Sequence, residues 1–141
     1  MHFTLKDTAM EPSKISPVEF RKYLTPNVFW QIIGRRFIPI PKEDISAVIL
    51  NINDKVADGK HTITPAGPVS IFCHITPFGT GLNPEIWEAE SGTVKFDSDR
   101  TPGNTRIKAT CTDCVVRSHK MPKLSFTLSG DCHVKDALTY P

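Results

Sequence analysis

Residues 123–134 alternate in character without a break. Leu124, Phe126, Leu128, Gly130, Cys132 and Val134 fall in one phase, and Lys123, Ser125, Thr127, Ser129, Asp131 and His133 in the other. A period of two marks a β-strand with one face on a core and the other on water or a partner, because successive side chains leave the pleat on opposite sides. Such a strand needs neighbours. Residues 106–116 supply one, with Ile107, Ala109 and Cys111 in the apolar phase against Arg106, Lys108 and Thr110.

Upstream the same logic finds further strands. Residues 45–52 are rich in β-branched side chains and apolar on both phases, which suits a central, covered strand. Asp58-Gly59 is turn chemistry, and residues 60–64 read as a short strand ended by Pro65. Residues 69–75 keep Val69, Ile71, Cys73 and Ile75 in one phase. Residues 86–96 are extended but lose phase: Trp87 and Ala89 hold one, Val94 and Phe96 the other. Ser91-Gly92 between them accounts for the slip as a β-bulge.

The N-terminal third reads differently. Ser16-Pro17-Val18-Glu19 has the N-cap, first-turn proline and returning glutamate of a capping box, and predicts a helix of about two turns through Phe20, Tyr23 and Leu24. Thr25-Pro26 repeats the start signal, and Val28, Phe29, Ile32 and Ile33 make a helical stripe closed by Gly34. Residues 1–14 read as a short flanking strand or a loose arm, and residues 136–141 as a tail. The expected fold class is therefore mainly β (α+β): an antiparallel sandwich or partly open barrel of about six strands, preceded by two short helices. The length of 141 residues suits a single domain. Within it, residues 1–44 form a helical cap and connector and residues 45–135 the antiparallel region.

Charge narrows the functional classes. Seventeen basic residues against fifteen acidic ones leave a net charge of +2, too weak a field to favour nucleic acid. No apolar run approaches the roughly 18 residues of a membrane span, and residues 1–13 lack the cationic start and apolar run of a secretory leader. The expectation is a cytoplasmic protein whose four cysteines are thiols, although a secreted form stripped of its leader would read the same.

Chemistry is harder to find. Cys111-Thr-Asp-Cys114 has the spacing of zinc knuckles and redox disulfides, and His119 is the one nearby third ligand. Inside a regular strand, however, Cys111 and Cys114 would lie about 10 Å apart on opposite faces, and only a turn at Thr112-Asp113 would bring them together. Cys73, Cys111 and Cys132 share apolar phases and read as small buried hydrophobes. The five histidines show no hydrolase spacing, although His74 and His133 would meet if their strands were neighbours. Phe78-Gly-Thr-Gly sits in a proline-rich loop and opens no helix, so it is no phosphate cradle. Glu85, Glu88 and Glu90 flank Trp87, an arrangement compatible with a sugar cleft and more commonly a solvated face.

No catalytic set, metal site or cofactor is called for, and the reading leans away from an enzyme. In general character the chain resembles small β-rich bacterial proteins. The first expectation is a non-enzymatic module binding another protein, self-associating by edge pairing or acting as an inhibitor. Its binding residues would be drawn from Trp30, Phe78, Trp87 and a basic group of Arg106, Lys108, Arg117, His119 and Lys120. The alternative is a small-ligand barrel with Trp30, Phe72 and Trp87 lining a cavity under the helical cap.

Overall fold

A computed structural model describes residues 2–5, 18–35, 44–76 and 85–141. Ten strands run through them: β1 (His2–Leu5), β2 (Val18–Tyr23), β3 (Phe29–Arg35), β4 (Asp44–Asn53), β5 (Gly59–Thr62), β6 (Val69–Thr76), β7 (Glu85–Asp99), β8 (Arg106–Ser118), β9 (Ser125–Lys135) and β10 (Leu138–Tyr140). They form one sheet in the order β1-β9-β8-β7-β6-β4-β3-β2-β10, with β5 added to β7 off that path. All pairings are antiparallel except β10 on β2. The sheet curls into an open half-barrel.

Cross-strand rows on the concave face explain the curl. Phe20, Ile32, Leu50 and Ile71 stand opposite one another along one row; Trp30, Ile52 and Val69 form the next. Both rows are buried in one cluster with Val94, Ile107, Val116 and Leu128 from the long strands. Burial of this kind is worth about 25 cal/mol per Å² of apolar surface, and closing the sheet on itself is how a single layer obtains it. The alternation that defined β9 holds, with Leu128, Cys132 and Val134 buried.

The expected helices are not there. The residues assigned to them, from Val18 onward, form the β2–β3 hairpin, whose turn carries a cis Thr25-Pro26 bond; Ser16 and Pro17 lie outside the described residues. Seven consecutive rungs between Phe29–Arg35 and residues 47–53 outweigh the local capping signal. Aromatic and β-branched side chains at Phe29, Trp30, Ile32 and Ile33 suit a pleated surface better than a helix. The strand count rises from about six to ten for that reason, because β1 takes the flanking-strand alternative for residues 1–14, and because the residues read as a tail form β10. Of the two architectures expected, the sheet takes the partly open barrel rather than the sandwich, as one curled layer.

The phase slip expected at Ser91-Gly92 is present as two register shifts against β8, between Ala89 and Ser91 and between Ser91 and Thr93. A shift between Ile45 and Ala47 in β4 and a bulge in β8 had no such signal in the sequence. Cys111 faces Gly130 and Cys114 faces Leu128, so Thr112 and Asp113 together oppose the single residue Ser129.

Candidate functional site

The basic residues at the end of β8 are spoken for. Arg117 forms a two-pronged bond to Glu90, Nε to Oε2 at 2.8 Å and Nη2 to Oε1 at 2.7 Å, while its Nη1 donates to the Pro122 carbonyl at 2.7 Å. The guanidinium holds the Glu90 carboxyl below its ordinary range, and Glu90 raises Arg117 in return. His119 Nε2 lies 3.0 Å from Glu88, Lys120 Nζ 3.9 Å from Glu85, and Arg106 3.8 Å from Asp97. Lys108 is exposed, opposite Asp97 and His133 in register. The acidic triplet around Trp87 thus pairs with Arg117, His119 and Lys120, while Arg106 turns to Asp97. A shallow cleft of about 170 Å³ lies among Pro65, Glu88, Glu90, Arg117, Ser118 and His119.

The aromatics do not meet around a cavity. Trp30 is 1 % exposed, stacked obliquely on Phe20 with ring centres 5.6 Å apart, and its Nε1 donates to Asp54 Oδ1 at 2.7 Å. Trp87 is packed against Phe126 at 5.4 Å, with Nε1 3.4 Å from Glu85. Phe72, half-buried, stands in the opposite phase to the inward Ile71 and Cys73. Phe78 lies outside the described residues. His74 and His133 belong to strands separated by β7 and β8.

All four cysteines are free and buried. Burial pushes the Cys73 thiol up, and the Cys132 thiol up to about 11. Cys111 is raised by its hydrogen bond to Cys114 and by burial, while the same bond lowers Cys114. His119 is on the outer face and does not join them; no group of three or more His, Cys, Asp or Glu side chains among the described residues is placed to hold a metal ion.

A wider groove marks the seam where β2 and β9 approach each other. β1 covers residues 128–131 of β9 and leaves residues 132–135 beyond it; β10 covers residues 21–23 of β2 and leaves residues 18–20. Between these two strand segments lies a groove of about 530 Å³, lined by Val18, Glu19, Phe20 and Arg21 on one side and by residues 133–136 on the other. β10 forms its end wall. Asp136, in the left-handed region at φ 60°, turns the chain out of β9, and its N–H donates to the Thr105 carbonyl at 2.9 Å. Tyr140 then stacks on Tyr23 at 5.3 Å, under the Arg21 guanidinium at 5.4 Å.

No family model, no curated protein and no solved structure matches this chain. Its site must be read from its own geometry. The sequence pointed to the β8 basic group and the tryptophans; the groove is lined by residues it assigned to a helix and a tail, Val18 to Arg21, Leu138 and Tyr140. The alternation of β9 was the one signal available for this site, since a strand with a polar face and no assigned partner on one edge leaves that edge open.

Proposed function

We propose that this chain is a protein-interaction module that accepts an extended segment of a partner protein in the β2–β9 seam by strand addition. The observation that carries this reading is the groove between residues 18–21 of β2 and residues 133–136, at a place where β10 pairs with β2 over residues 21–23 and β1 with β9 over residues 128–131. An added strand gains main-chain hydrogen bonds for affinity and reads alternate side chains for specificity.

The rim gives that specificity a chemical form. Val18, Leu138 and Tyr140 are exposed apolar side chains beside the groove, and Glu19, Arg21, His133, Lys135 and Asp136 alternate around it. A segment of alternating apolar and charged residues of both signs suits such a lining; a strongly acidic or basic one does not. The same groove could accept a second copy of the chain, which keeps self-association within this reading. The filled core favours this reading over a ligand barrel, since Trp30 and Trp87 are buried in packing.

Selection of random extended peptides against the folded protein tests the proposal. Bound peptides should shift the amide resonances of residues 18–20 and 132–135. Val18→Asp, at an exposed position, should weaken them at least about tenfold, some 1.4 kcal/mol. Peptides that map to the outer face of β7 and β8, or a protein that yields no binders, would overturn it.

A further inference from the structure

We infer that Cys111 and Cys114 are a redox-active pair that closes reversibly into a disulfide across the β8 bulge. This is independent of the seam. In a regular strand the two residues would be three pleats apart, on opposite faces and about 10 Å from one another. The bulge removes one step. Cys111 stands opposite Gly130 and Cys114 opposite Leu128, so their separation along the sheet is that of two residues, about 6.8 Å, and both side chains face inward. That is the upper end of the usual α-carbon spacing of a disulfide, and the added local twist of a bulge shortens it.

Two further observations fit. The residues between them, Thr112 and Asp113, are exposed, and Asp113 holds the left-handed conformation at φ 50°. Gly92 makes the room: a β-carbon there would come within 2.8 Å of the Cys114 sulfur. Cys114 is 0 % exposed and Cys111 5 %, so reagents reach them through local opening of the bulge.

The chemistry balances with a low-molecular-weight disulfide as oxidant. Cys114 attacks first, since its thiol is the one of the pair lowered from its ordinary value while that of Cys111 is raised. The Cys114 thiolate attacks the small disulfide and expels one small thiolate. Cys111 then loses its proton, attacks the Cys114 sulfur of the mixed disulfide and expels the second. Two electrons pass, two protein thiols become one disulfide, and the small disulfide becomes two thiols.

The competitors are Cys132, buried on β9 opposite Ala109 as a diagonal neighbour of Cys111, and Cys73, buried in the same cluster. Tryptic mapping separates the cases, because Lys108 and Arg117 bracket one peptide that contains both Cys111 and Cys114, whereas Cys132 and Cys73 fall in others. The reduced, folded protein should be equilibrated with oxidised glutathione. The expected result is a peptide of residues 109–117 lighter by two hydrogens, about 2 Da, reversed by dithiothreitol. Cys132→Ala should leave this unchanged, and Cys111→Ala should stop at a glutathione adduct on Cys114, with far-ultraviolet circular dichroism confirming the fold of each. Four thiols surviving oxidation, a crosslink from residues 109–117 to the Cys132 or Cys73 peptide, or an adduct in the unmodified chain that never resolves would overturn the inference.

Discussion

At the scale of single residues, the most constrained position is Gly92. Its φ of 113° lies where side-chain-bearing residues are strained, and a β-carbon built there would sit 2.6 Å from the Cys114 α-carbon and 2.9 Å from the Asp113 carbonyl oxygen. Backbone atoms cannot give way as a flexible side chain would. Gly92→Ala should therefore cost about 2–4 kcal/mol, measured by urea denaturation. Gly103→Ala is the control: φ is 83°, but the space around it is open, so the cost should be only about 1 kcal/mol. Gly92 was legible in the sequence through the lost phase between Ala89 and Val94. Cys114 was not. Its inward direction depends on a bulge in β8, and the only trace of that bulge is the polar pair Thr112-Asp113, which any turn or solvated strand face would also show.

Between elements, Arg100 does the joining. It follows β7, and its guanidinium donates to the Asp54 and Val56 carbonyls and to Ser98 Oγ, and lies 5.8 Å from the centre of the Phe96 ring. Asp54 in turn accepts from Trp30 Nε1, and its own N–H donates to the Val28 carbonyl at 3.0 Å. One side chain thus ties the end of β7 to the β4–β5 turn and, through Asp54, to the β2–β3 hairpin. Arg100→Met should destabilise the fold by about 2–3 kcal/mol, because charge-assisted bonds are lost and two carbonyls are stranded. Arg100→Lys should not restore it, since an ammonium cannot span the fork. Arg106→Met, which removes an exposed pair at 3.8 Å, should change stability by no more than about 0.5 kcal/mol, with urea denaturation as the measurement for all three variants. The long strands were readable from phase alone, because each has one buried and one solvated face. The β2–β3 hairpin was not. Its capping-box letters are local, whereas the seven rungs that decide its conformation are contributed by β4, some twenty residues away in sequence.

For the molecule as a whole, acid is the informative variable. Burial alone would raise Asp58, but bonds from the Ser98 N–H at 2.9 Å and hydroxyl at 2.6 Å, with Arg100 nearby, bring it below its ordinary value. Asp99 is lowered by the Thr101 N–H, and Glu90 by Arg117. A carboxyl whose folded value is depressed contributes stability that is complete above its unfolded value and is lost as pH falls through the folded one. The melting temperature should therefore be nearly flat from about pH 7 to 5 and fall steeply below about pH 4. Asp58→Asn should remove part of that slope. A melting temperature that stays level to pH 3 would contradict the bonding described for these three groups.

One edge of β7 is shared: residues 85–88 pair with β6 and residues 93–96 with β5, and the Ile63 N–H bonds the Gly92 carbonyl at the changeover. A strand gripped on one side by two separate neighbours cannot slide past either without breaking both sets of rungs. Slippage by a single residue would turn Trp87 and Ala89 out to water and draw glutamates into the core. The division of that edge therefore acts as a key that fixes the alignment of β8 and β9 behind it, and with it the spacing of the two sulfurs at the bulge.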